Sequence, residues 1–210
     1  MAEPIPVAQD LTVEADSGGH TDNRTLSTLF PNILALRDEV VEQQGYGRPI
    51  RCGAAGGIGT ATIDIGQCLG ARILATGGSD EKLQAVGTHY GVDHLINYDT
   101  DPEWKEQVKT LTDGRGADVI CDPVGGEGFE KSLRCINWEG RLLVVGFTSG
   151  TIPSAPANLV LLKGCAVIGV FWGAYANRDP GGNRANFNQL FAWLAEGRLR
   201  PLIARRLSLA

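Results

Sequence analysis

The stretch IRCGAAGGIGTATIDIGQCLGARILATGGSDEK, Ile50 to Lys82, decides the fold. A short β-branched run ends at Gly53, a glycine-rich turn follows, and a helical pattern leads into a second apolar run at residues 72–76. Glycines in such a turn let the backbone come close to a phosphate, while the helix N-terminus offers free N–H groups and a partial positive charge. Gly59 allows the helix to pack tightly on the strand. A glycine turn alone is a weak signal, because tight strand–helix packing can also require it. The strand–turn–helix–strand context strengthens it.

Outward from this stretch the same rhythm continues. Strands are expected at residues 50–53, 72–76, 94–97, up to Asp122, 141–146 and 166–171. Helices are expected between them at residues 57–69, 80–90, 101–111 and 127–135, with a last one at 184–196. Gly91 reads as a helix stop, as do Gly197 and Pro201 at the last helix. Strands alternating with helices of this length imply right-handed βαβ crossovers. The expected fold is α/β, a doubly wound six-stranded parallel sheet of the Rossmann type, its ligand crevice above the first strand.

Residues 1–48 do not follow that rhythm and are read as an N-terminal extension to a domain at 49–210. One strand is expected near residues 11–14 and an amphipathic helix near 29–43, with their packing left open.

The totals exclude several classes. A net charge of -5, with 19 scattered Lys and Arg, argues against a general nucleic-acid binder. No apolar run is long enough to span a bilayer, and the start has neither a basic nor an apolar leader, so no membrane role is expected and a cytoplasmic location is. The five cysteines (Cys52, Cys68, Cys121, Cys135 and Cys165) lack CxxC pairing and read as buried thiols. His20, His89 and His94 lack zinc-ligand spacing, so no metal is expected.

The end of the second strand bears on the ligand. Domains that take unphosphorylated ribose usually carry an acid there, whereas this chain has Gly77-Gly78 followed by Ser79 and Lys82. Ser and Lys can hold a 2′-phosphate, which favours NADPH over NADH. Ser79 can equally be a helix N-cap, and Lys82 a solvated surface residue. Asp80 is an awkward negative charge nearby, or a complement to the helix N-terminus.

From about Gly53 to Ala210 the chain resembles the quinone oxidoreductase (zeta-crystallin-like) branch of the medium-chain dehydrogenase/reductase superfamily. GAAGGIG, GARILATGGSDEKL, GVDHLINY, GRGADVICDPVGG, GRLLVVGFTSG and VIGVFWGAY stand in family order and spacing. The resemblance implies that NADPH lies over Ala54, Gly56, Gly57, Ile58 and Gly59, with Ser79, Lys82 and Tyr98 around its 2′-phosphate. It implies that Asp122 and Val124 sit where the crevice opens, and that Gly146, Phe147, Phe171 and Trp172 line the nicotinamide end. On the residues alone Tyr98 is equally an edge-strand aromatic, Asp122 to Gly125 plain turn chemistry, and Phe171 and Trp172 core or interface anchors. The branch lacks the catalytic zinc of alcohol dehydrogenases, and its members reduce small-molecule quinones or enones by hydride transfer. Related domains often pair through the last strand, so a homodimer is expected there.

Residues 6–60 resemble a second family, the FMN-dependent enoyl reductases related to nitronate monooxygenases, which are TIM barrels. In that likeness EADSGGH, residues 14–20, ends a barrel strand, His20 is an active-site residue and Gly56-Gly57 grips FMN phosphate. Two βα units cannot close a barrel, so FMN and His20 form the lesser alternative, and the chain reads as a chimera joined at a shared glycine motif. The reductases carry an N-terminal catalytic domain with no expected counterpart in residues 1–48, so cofactor binding is expected to survive better than catalysis. A non-catalytic binding module is the other alternative.

Overall fold

The computed structural model describes residues 49–54, 56–92 and 94–203. The readings at residues 11–14 and 29–43, and at His20, lie outside the described residues. Six strands form one sheet: β1 Pro49–Gly53, β2 Arg72–Gly77, β3 His94–Asn97, β4 Ala117–Asp122, β5 Ile136–Val144 and β6 Ala166–Gly169. Their order is β3-β2-β1-β4-β5-β6 and every pairing is parallel. Parallel neighbours require crossovers. Each contains one helix: α1 Gly57–Cys68, α2 Asp80–Tyr90, α3 Trp104–Leu111, α4 Glu127–Arg134 and α5 Ala157–Lys163. α6 Trp172–Arg178 and α7 Pro180–Ala195 complete the chain order.

Side chains alternate across the sheet as the strand period demands. Ile73, Ala75, Val119, Cys121 and Leu143 point to one face, where they meet Ile63 of α1 and Leu83, Val86 and Tyr90 of α2. Leu74, Ile120 and Leu142 point to the other, against Trp104 and Val108 of α3 and Phe129 and Leu133 of α4. α1 is apolar on a second side as well: Ala61, Ile65 and Cys68 pack against Leu190 and Trp193 of α7 and against Leu199. Ile63 and Ile65 are wholly buried. Each contributes about 2–3 kcal/mol of hydrophobic stabilisation, which fixes α1 at the centre of the domain.

Most expected elements stand where the sequence puts them, with differences at the C-terminal half. β5 begins at Ile136 rather than residue 141. Residues 137–140, NWEG, lie between them, and the register is irregular there. β5 advances from Ile136 to Arg141 while β4 advances only from Ala117 to Val119, and Glu139 has φ 57°. β6 stops at Gly169, two residues early, because α6 starts at Trp172. α7 begins at Pro180, where Asp179 accepts from Gly182 N and proline sits in the first turn. Gly91 ends α2 in the left-handed conformation, φ 68°, as its position predicts. Among the described residues no helix is long and apolar enough to cross a membrane.

Cys68, Cys121, Cys135 and Cys165 are free and buried, as expected. Burial and the nearby Asp64 push the Cys68 thiol up to about 11, which keeps it protonated and unreactive.

Candidate functional site

The sheet order reverses between β1 and β4, so the loops after these strands diverge and leave a crevice at the carboxyl ends. Gly53 ends β1, and Ala54 is wholly buried with its N–H donating to Thr76 O at 2.6 Å. Ala54 therefore ties the turn to β2. Gly56 is the N-cap of α1 and provides no side-chain cap. The first amides of a helix have no intrahelical partner, so this end presents bare N–H groups and the positive pole of the helix.

Two glycines of the turn serve different ends. A Cβ on Gly59 would lie 1.9 Å from Gly53 O and 2.7 Å from the Ala54 Cα, so α1 meets β1 backbone to backbone. A Cβ on Gly56 would meet nothing within 4 Å. Its surroundings are open, with room for an anion at the helix end.

Two adjoining clefts, of about 340 and 250 Å³, meet along Gly53, Tyr98, Pro123 and Val124. The larger lies over Gly56, Gly57, Ile58 and Gly59, floored by Thr76 and Gly77. The smaller runs from Tyr98 past Asp122 to Lys131. Asp122, 5% exposed, holds the β4 turn: its Oδ1 accepts from Val124 N at 2.8 Å and Gly125 N at 2.9 Å. Its Oδ2 is buried without a hydrogen-bond partner.

The loops after β4 and β5 continue the ladder past the strands. Val145 N donates to Asp122 O at 3.0 Å, Thr148 N to Pro123 O at 3.1 Å, and Ser149 N to Val124 O at 3.1 Å. This rail carries Gly146 and Phe147. Phe147 lies over Gly125, where a Cβ would sit 3.0 Å from its Cδ1.

The structure thus brings together Gly56, Gly57, Ile58, Gly59, Tyr98, Asp122 and Val124 at the clefts. Ser79 caps α2, its Oγ accepting from Lys82 N at 3.4 Å, and Lys82 is exposed one turn away. Neither lines a cleft. Asn97 Nδ2 donates to Asp80 Oδ1 at 2.7 Å, which draws the awkward carboxylate toward β3. Phe171 is 78% exposed, and Trp172 Nε1 donates to Asn183 Oδ1 at 3.1 Å; neither belongs to the two clefts. Thr148 and Ser149 line the clefts and were not singled out, although GFTSG places them beside Phe147. Among the described residues no three His, Cys, Asp or Glu side chains gather as a metal site.

An open parallel sheet with a bare helix end at its reversal point defines the class: a doubly wound nucleotide-binding domain. A sequence profile of the zinc-binding dehydrogenases matches residues 57–196, and the chain belongs to that family. It is 38% identical over 172 residues to the quinone oxidoreductase-like protein 2 of Bos taurus, covering 81% of this chain and 48% of that protein. The quinone oxidoreductase of Pseudomonas syringae pv. Tomato DC3000 superposes with TM-score 0.71 at 28% identity, over 89% of this chain and 57% of that one. Escherichia coli quinone oxidoreductase, solved in complex with NADPH, shares the fold with TM-score 0.69 at 24% identity, over 85% and 55% of the two chains. The chain spans about half the length of these relatives.

Proposed function

We propose that this domain binds NADPH as the nucleotide-binding part of a quinone or enone oxidoreductase. The uncapped N-terminus of α1, opening on the larger cleft with free space beside Gly56, carries the reading. A dinucleotide fits it: the pyrophosphate takes the amides of Gly57 and Ile58, and the adenosine lies toward Tyr98. Ser79, Lys82 and Tyr98 hold the 2′-phosphate. Lys82 reaches it from the exposed first turn of α2.

Bound NADPH supplies a hydride to a small-molecule acceptor. The chain's own contribution is placement and exclusion of water, both of which the transfer requires. In this reading Gly146 and Phe147, carried on the rail from Pro123 and Val124, lie toward the nicotinamide end, with Phe171 and Trp172 on the β6 side. The name quinone oxidoreductase in the relatives supports the acceptor class.

β6 supports pairing of two copies. It is an edge strand with Ala166 and Gly169 exposed, and no residue of the neighbouring α5 is buried.

Titration with NADPH, read by thermal shift, tests the binding. An intact site gains about 2.7 kcal/mol at a hundredfold excess over Kd. No shift with either NADPH or NADH removes the proposal. Turnover of a quinone with NADPH tests the chemistry separately.

A further inference from the structure

Gly78, the first residue after β2, lacks a side chain for a reason outside the strand. A Cβ there would lie 2.5 Å from Oδ2 of Asp99, 3.0 Å from its Cγ and 3.2 Å from Cε2 of Tyr98. The Asp99 carboxylate therefore rests on the backbone that joins β2 to Ser79.

The backbone that carries it is held in that place. Asp99 N donates to Asn97 Oδ1 at 3.0 Å, and the preceding Tyr98 N donates to Gly77 O at 3.1 Å, so the turn after β3 is laced to the end of β2. Asn97 also engages Asp80 through its Nδ2, which leaves Asp99 as the carboxylate over Gly78. Among the described residues Asp99 forms no ion pair, and its side chain is exposed.

β2 itself, RILATG, carries no acid at its end. Domains that accept an unphosphorylated ribose present a carboxylate at this end of the second strand. Here a carboxylate reaches the same backbone from the neighbouring strand's loop. It stands one residue from Ser79, on the side of Tyr98, and Ser79 and Tyr98 are two of the three groups assigned to the 2′-phosphate.

We propose that Asp99 is a selectivity-determining residue that opposes the 2′-phosphate held by Ser79 and Lys82, bringing NADH affinity close to that of NADPH. The assignment rests on the cofactor reading above. Like charges a few ångströms apart at a part-exposed site change binding by about tenfold, an effect that added salt screens. The ribose of NADH carries no such charge, and its 2′-hydroxyl is a donor that a carboxylate can accept.

The test is the pair of dissociation constants for NADPH and NADH, measured by fluorescence titration at low and high salt. The proteins are the parent, Asp99→Asn and Asp99→Glu. Asp99→Asn is expected to tighten NADPH by about three- to tenfold without tightening NADH, the gain shrinking at high salt. Asp99→Glu keeps the charge and the parent's ratio of the two constants. Circular dichroism confirms that each variant folds. Should Asp99→Asn leave the NADPH-to-NADH ratio unchanged while both cofactors bind, the selectivity role is wrong and the cofactor reading stands. Should the folded parent bind neither, the cofactor reading itself falls, and this role falls with it.

Discussion

Both side-chain oxygens of Asp64 accept from the backbone N–H of Arg200, at 3.0 and 2.8 Å, across 136 residues of sequence. Among the described residues, the segment after α7 pairs with no strand and is fastened to α1 and α2. Arg198 Nη2 donates to Cys68 O at 2.7 Å, His89 Nε2 bonds Arg200 O at 2.8 Å, and Leu202 N donates to Tyr90 Oη at 3.1 Å. These bonds lie behind the helix whose N-terminus faces the clefts.

Asp64 is 1% exposed, and burial raises its carboxyl above the ordinary value, against the Arg200 N–H and the Arg200 and His89 charges. A carboxyl raised by folding binds its proton more tightly in the folded state than in the unfolded one. Its contribution is thus fully present below the unfolded value of 3.8 and is lost as pH rises through the raised folded value. Asp64→Asn removes this titration and keeps an acceptor for Arg200. The melting temperature of the parent, relative to Asp64→Asn, is expected to rise as pH falls from neutral into that window. A gap that stays flat with pH, measured by circular dichroism, contradicts the raised carboxyl.

Gly59 and Gly56 separate packing from binding. Gly59→Ala drives a methyl into the Gly53 and Ala54 backbone, which cannot yield cheaply. A loss of about 3 kcal/mol or more is expected, in the range of severe overpacking. Gly56→Ala meets no atom within 4 Å and has φ -113°, so it costs about 1 kcal/mol or less as a poorer N-cap. If a phosphate does seat there, the methyl lies against it and NADPH binding weakens by about tenfold or more. Urea unfolding and cofactor titration on both variants distinguish the two roles.

Lys82→Ala should weaken NADPH by about tenfold and NADH far less, because only NADPH offers the phosphate to an exposed ammonium. Equal losses for both cofactors, by the same titration, move the 2′-phosphate elsewhere.

The sheet was legible because each strand is a short apolar run and each crossover has clear stops: Gly91 after α2, Asp122 at the end of β4. β5 was legible only from Arg141, because the ladder with β4 is irregular across residues 137–140 and their side chains do not follow a clean strand alternation. α5 and α6 were missed for a physical reason. Neither has a fully buried residue, and α5 meets the core only through the part-buried Leu159 and Val160, too short a contact to show a helical period. The glycine turn announced itself, and Gly59 does what its spacing implies. Asp99 did not, because its meaning depends on Gly78, which is distant in sequence and adjacent only once β2 and β3 pair. Ser79 illustrates the opposite limit: its hydroxyl meets Lys82 N as an N-cap, and a cap and a phosphate ligand look alike in sequence.

Leu161 and Leu162, 78% and 71% exposed on α5, give the proposed pairing a direct check. A double change, Leu161→Glu with Leu162→Glu, removes apolar surface without opening a cavity, so the fold should keep its stability within about 1 kcal/mol. Sedimentation is expected to show a dimer for the parent and a monomer for the variant. A monomeric parent dismisses pairing through this edge.

Asp122 tests whether the β4 turn is the structural foundation of the crevice. Asp122→Ala strips the acceptor from two amides, Val124 N and Gly125 N, inside a turn that also carries the rail to Thr148 and Ser149. Two charge-assisted hydrogen bonds lost at a buried site cost about 2–4 kcal/mol, or roughly 10 °C in melting temperature for a domain of this size. Asp122→Asn retains one acceptor and replaces the buried, unpartnered Oδ2, so it should fall well short of that loss. Cofactor affinity should follow the same order, parent above Asn above Ala, because Pro123 and Val124 wall both clefts. If Asp122→Ala melts with the parent, the turn is held by the rail and the carboxylate is dispensable to the fold. If it instead unfolds too far to bind anything, the Asn variant still reports: parental affinity there means the carboxylate supports the turn without touching the ligand.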